Sequence, residues 1–78
     1  MARDTYADVM SGRKNNNIRF ADLQRLLKIM GFSFRVKGDH FIYWRNDIPE
    51  IINIQPAGSM VKAYQVKQIR IFFEKYGI

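Results

Sequence analysis

Apolar and polar residues alternate from residue 32 to residue 37. Phe32, Phe34 and Val36 fall on one side of an extended segment, and Ser33, Arg35 and Lys37 on the other. A period of two predicts a β-strand. Gly38-Asp39 follows. The pair suits a tight turn, because glycine tolerates positive φ and aspartate bonds its own backbone. Phe41, Ile42, Tyr43, Trp44 and Arg45 then form an aromatic and β-branched run suited to a returning strand. Residues 32–45 therefore predict a β-hairpin. Phe41 and Tyr43 point to one face and Ile42 and Trp44 to the other, so one pair lies outside or under a partner.

Elsewhere the apolar period is helical. In residues 4–11, Tyr6, Val9 and Met10 form one stripe, with Asp4 or Thr5 as the expected cap and Gly12 as the stop. Arg13-Lys14-Asn15-Asn16-Asn17 reads as a loop. Phe20, Leu23, Leu26, Leu27 and Met30 define a stronger helix, with Arg25 and Lys28 facing away and Gly31 ending it. Asp22 near its start and Lys28 near its end complement the helix dipole. After the hairpin, Asn46-Asp47-Ile48-Pro49 turns the chain, and Pro49 belongs before the next strand rather than within it. Residues 50–55 read as a third strand, which Pro56-Ala57-Gly58-Ser59 breaks. A last helix over residues 63–76 buries Val66, Ile69, Phe72, Phe73 and Tyr76 and stops at Gly77. The order predicts an α+β fold: a three-stranded antiparallel sheet with two helices on one face, plus a short N-terminal helix.

Length and charge narrow the picture. Seventy-eight residues make one domain, spanning 1–78, and a chain of this size buries only roughly 60% of its unfolded surface. Without cysteine it has neither a disulfide nor a thiolate zinc site. Thirteen Lys and Arg against seven Asp and Glu leave a net charge of +6, which favours an anionic partner. No apolar run has the length of a membrane span, and the N-terminus lacks a signal-peptide core, so a cytoplasmic protein with no membrane partner is expected.

The chain carries no Walker loop, no dinucleotide-binding glycine turn and no His/Cys/Asp/Glu set with metal spacing. Nothing in the spacing supports a Ser-His-Asp triad. What remains is the single histidine, His40, at the hairpin turn near Arg35, Lys37 and Arg45. RNA as substrate asks for little more. Its 2′-hydroxyl is an internal nucleophile, an imidazole removes the proton, and cations stabilise the charge that develops on phosphorus. The plainer reading also stands: a lone histidine beside a turn is more often a surface or hydrogen-bonding residue, and a basic last helix more often a solvated face.

Several pieces, in order and spacing, resemble the HicA toxins of bacterial type II toxin–antitoxin systems. They are Ile18-Arg19-Phe20-Ala21-Asp22-Leu23 leading into Leu26-Leu27, Gly31-Phe32, Gly38-Asp39-His40-Phe41-Ile42-Tyr43, Ile52-Asn53-Ile54-Gln55-Pro56 and Tyr64-Gln65-Val66-Lys67-Gln68-Ile69-Arg70. The resemblance covers nearly the whole chain, with residues 1–17 as an N-terminal extension. It implies a double-stranded-RNA-binding-domain-like fold and an mRNA endoribonuclease that uses neither metal nor cofactor. It also implies a HicB-like antitoxin as inhibitor. An acidic antitoxin fits physically, since it could cover His40 and pair with the strand cations, and a monomeric free protein is expected. The family's mark is Gly-Ser-His followed, after two intervening residues, by an aromatic. Gly38 matches the glycine, His40 the catalytic histidine and Tyr43 the aromatic, which would turn Tyr43 inward and His40 to the open face. Asp39 stands where the family has serine. A carboxylate there either repels the scissile phosphate or only shapes the turn and points away. Arg35, Lys37, Arg45, Lys62, Lys67 and Arg70 are the expected RNA contacts. The alternative functions are a non-catalytic RNA-binding module of the same fold and an adaptor that holds a protein on the apolar hairpin face.

Overall fold

In the computed structural model, which describes residues 2–78, the helical stripes and the alternating hairpin meet in one core. Helices α1 (Ala2–Ser11) and α2 (Phe20–Ile29) precede strands β1 (Ser33–Lys37), β2 (His40–Trp44) and β3 (Ile52–Ile54). Two very short strands, β4 (Pro56–Ala57) and β5 (Met60–Val61), come before α3 (Ala63–Tyr76). The main sheet has the order β1-β2-β3 and is antiparallel throughout. Among the described residues no helix is long and apolar enough to cross a membrane.

The hairpin pairs Lys37 with His40 and Ser33 with Trp44, so its loop is the two residues Gly38-Asp39. Gly38 has φ +63° and no non-glycine residue has positive φ, the pattern of a type II′ turn, whose twist matches that of the strands. Cross-strand partners share a face. Phe34, Tyr43 and Ile52 therefore line the inner face with Val36, Phe41 and Ile54, while Arg35, Ile42 and Asn53 lie on the outer face with Lys37, His40 and Trp44.

The inner face is covered unevenly. Tyr43, Ile52 and Ile54 are buried with Leu23, Leu27, Val66, Ile69 and Phe73. β1 is exposed at every position, and Phe34 and Val36 keep 49% and 53% of their surface. The inner face is thus left open at this edge of the sheet. The Phe34 ring stacks on those of Tyr43 and Phe41, with centroids 5.2 and 6.3 Å apart.

Three other expectations shift. α1 is helical from Ala2, so Asp4 sits in its first turn and Thr5 is buried within it; neither is a cap. β3 is half the predicted length. Glu50 is drawn to Lys75 and Tyr76 at the end of α3, and the Gln55 N–H donates to Gln65 Oε1 rather than to the sheet. That hydrogen bond also explains the burial of Gln65 in α3. Finally, residues 56–59 do not merely break the chain. β4 and β5 form a hairpin that accepts from the Phe20 N–H through Ser59 O at 2.9 Å and donates from the Val61 N–H to Ile18 O at 2.9 Å. It satisfies an amide at the start of α2, which has no side-chain cap.

α1 is tied to α3 and to the C-terminal residue that follows it. The Tyr6 ring stacks on Phe73 at 5.9 Å, its hydroxyl donates to Ile78 O, and Arg70 donates to Val9 O.

Candidate functional site

His40 opens β2 on the outer face of the sheet, directly across from Lys37. Its Nδ1 lies 3.1 Å from Asn53 Oδ1. Alternation within β3 puts Ile52 and Ile54 into the core and Asn53 outward, on the diagonal from His40. In a neutral ring whose Nδ1–H donates to this amide oxygen, the lone pair is on Nε2.

Asp39 lies alongside this imidazole rather than pointing away. Its Oδ1 is 3.7 Å from His40 Nε2, too far for a hydrogen bond and close enough to act on whatever approaches that nitrogen. Its Oδ2 accepts from Gln55 Nε2 at 2.7 Å, and Gln55 Oε1 accepts from Lys62 Nζ at 3.4 Å. The Gln55 hydrogen bond, with help from the Asp39 backbone and the charges of His40 and Lys62, lowers the Asp39 carboxyl below its ordinary value. The hairpin turn, the end of β3 and the start of α3 thus converge on one polar cluster around His40.

Of the cations expected to contact RNA, Arg35 and Lys37 are exposed on the outer face with His40, and their side chains make no hydrogen bond or ion pair among the described residues. Lys62 joins the cluster through Gln55, and Lys67 is exposed on α3. Arg45 and Arg70 are structural braces. Arg45 grips Asp47 through Nε and Nη2 at 2.6 and 2.8 Å, donates from Nη1 to Met30 O and covers the Phe32 ring. Asp47 raises the Arg45 guanidinium further above its ordinary value. Arg70 Nη1 donates to Val9 O at 3.0 Å and to Asn15 Oδ1 at 2.8 Å. Both guanidiniums brace loops through these bonds, which sets them apart from Arg35 and Lys37 among the expected RNA contacts.

Asn53 and Gln55 were missed from the sequence. The available signal was the alternation of Ile52-Asn53-Ile54-Gln55, which marks both polar residues as facing away from the core. The partner each one meets depends on strand register.

Tyr43 is buried on the inner face, and its hydroxyl has no hydrogen-bond partner. The Gln24 side chain approaches without making a bond of good geometry, and burial raises the phenol above its ordinary value. Two grooves border the site. One, of about 260 Å³, lies on the outer face between Arg35, Ile42, Trp44 and Ile51. The other, of about 290 Å³, runs between β3 and α3 past Asn53, Gln65 and Phe72. Among the described residues no three His, Cys, Asp or Glu side chains gather where they could hold a metal ion. No family model, curated protein or solved structure matches the chain.

Proposed function

We propose that this protein is a metal-independent endoribonuclease of the HicA toxin type, acting on mRNA through His40. The observation that carries the reading is the exposed imidazole whose Nδ1 is held by Asn53, on a sheet face that also bears the unpaired cations Arg35 and Lys37. The order α2-β1-β2-β3-α3 supports the finer assignment of a double-stranded-RNA-binding-domain-like fold.

In this reading His40 Nε2 takes the proton of a 2′-hydroxyl. The 2′-oxygen bonds to phosphorus as the bond from phosphorus to the 5′-oxygen breaks, and the imidazolium or water returns a proton to that leaving oxygen. The products are a 2′,3′-cyclic phosphate and a 5′-hydroxyl. Lys37 and Arg35 offset the charge that builds on the phosphoryl oxygens. Lys62, held near Asp39 through Gln55, offsets part of the repulsion between that carboxylate and the substrate. A HicB-like acidic antitoxin would inhibit by covering His40 and neutralising these cations.

The test is incubation of a long single-stranded RNA with the protein in EDTA, with His40→Ala alongside. Cleavage by the parent alone, leaving cyclic phosphate ends, is the expected result; products ending in a 3′-hydroxyl, or equal cleavage by both proteins, overturn the mechanism. One observation favours a second reading, a non-catalytic RNA-binding module: Asp39 Oδ1 stands 3.7 Å from the nitrogen that would act as base. In that case the parent binds RNA without cutting it, and Asp39→Ser restores no activity.

A further inference from the structure

The outer face of the sheet holds more than the His40 cluster. His40, Ile42 and Trp44 follow one another along β2 on that face. Ile42 and Trp44 are only half-buried, and Ile51 beside them is 59% exposed. With Arg35 they line the groove of about 260 Å³. We infer that this groove is a nucleobase subsite for single-stranded RNA, in which Trp44 and Arg35 hold one base of the strand whose phosphate lies at His40. The inference rests on the nucleic-acid reading of the same face.

Three features select this occupant. Trp44 stands four steps along the strand from His40, about 13 Å, on the order of two nucleotides of an extended single strand. The groove therefore lies within the substrate's path, offset from the bond that is cut. Its volume is below the roughly 300 Å³ at which pockets for whole small ligands begin, which suits a single planar base. Its wall carries a cation that no other described residue uses: the Arg35 side chain makes no hydrogen bond or ion pair among the described residues, in contrast to Arg45 and Arg70. A guanidinium beside an indole offers a base both stacking and polar contact. Lys37, equally unpaired and next along the same face, continues the positive track toward His40. That continuity of free cations favours a polyanionic strand over a protein segment. A duplex cannot present a base here, because its bases are stacked and paired.

Trp44 is the sole tryptophan of the chain, so its fluorescence reports on this groove alone. The probe is an uncleavable 2′-O-methyl octanucleotide of mixed sequence with a 3′ dye for anisotropy, at low salt. An abasic residue is walked through each position. Binding is expected to quench Trp44 with the same midpoint as the anisotropy change. An abasic residue at one position should abolish the quench and weaken binding about ten-fold, the loss of one stacked base. Trp44→Ala should match that loss and Trp44→Phe should largely recover it. Binding by anisotropy with unchanged Trp44 emission, or equal tolerance of an abasic residue everywhere, overturns the subsite while leaving RNA binding intact and the groove to a protein. No binding at all overturns the subsite and the nucleic-acid reading together. A position-specific quench in a protein that cuts no ribo-octamer upholds the subsite and refutes the nuclease alone.

Discussion

Replacing Arg70 by alanine separates a brace from an RNA contact. One guanidinium nitrogen makes two hydrogen bonds, 3.0 Å to the Val9 carbonyl near the end of α1 and 2.8 Å to Asn15 Oδ1 in the loop that follows. The same group packs 3.7 Å from where a Gly12 Cβ would stand. Hydrogen bonds from charged donors contribute about 1.5–3 kcal/mol each. Because the guanidinium is only half-buried and one nitrogen serves both acceptors, we discount the sum for solvent screening and expect a combined cost of about 2–3 kcal/mol. In a domain of this size each kcal/mol moves the midpoint by about 4–8 °C, so Arg70→Ala should melt about 10–20 °C below the parent. The assay is thermal unfolding by far-UV circular dichroism, with RNA affinity measured against salt at a temperature where both proteins are folded. Lys67→Ala is the counterpart. Its exposed ammonium should change stability by less than about 0.5 kcal/mol, and if it meets a phosphate it should reduce the salt slope by about 1. The reasoning is refuted if Arg70→Ala melts within about 2 °C of the parent while its salt slope falls.

Three further outcomes follow from the same geometry. Tyr43→Phe removes a buried hydroxyl that bonds to nothing, so urea unfolding should show a neutral or stabilising change of up to about 1 kcal/mol; a loss above that would mean the hydroxyl has a partner. If His40 is the base, Asn53→Ala should lower kcat about ten- to a hundredfold with RNA affinity unchanged, the effect of losing a group that orients a histidine, and an unchanged kcat would remove Asn53 from the mechanism. Arg45 lowers the Asp47 carboxyl, and Lys75 and Tyr76 lower that of Glu50, from ordinary values of 3.8 and 4.5. The folded state then binds fewer protons than the unfolded chain, so this contribution is whole above the ordinary values and is lost as pH falls through the lower folded ones. Urea midpoints should hold from pH 7 to about 5 and decline below about 4, less steeply in 1 M salt or in Glu50→Gln; a decline beginning above about pH 6 would contradict it.

The sequence alone determined whatever depends on neighbours along the chain. The period-two run and Gly38-Asp39 specify the hairpin, since turn length and alternation set register together. The stripe of Phe20, Leu23, Leu26 and Leu27 specifies α2, and Gly12, Gly31 and Gly77, all at positive φ, supply the helix stops. The solitary His40 marked the turn as the place where chemistry is proposed. Tertiary structure decided whatever depends on partners distant in the chain. The β4–β5 hairpin exists because residues 18–20, some forty positions earlier, need its hydrogen bonds. Ile48 reads as a turn residue yet is buried in the core. Arg45 and Arg70 read as free charge until Met30 O, Asp47, Val9 O and Asn15 are brought against them. Asn53 becomes the support of His40 only through the register of β3 on β2. Local propensity and alternation act over a few residues. The assignment of each polar group to a partner is settled only when folding removes it from water and something else must satisfy it.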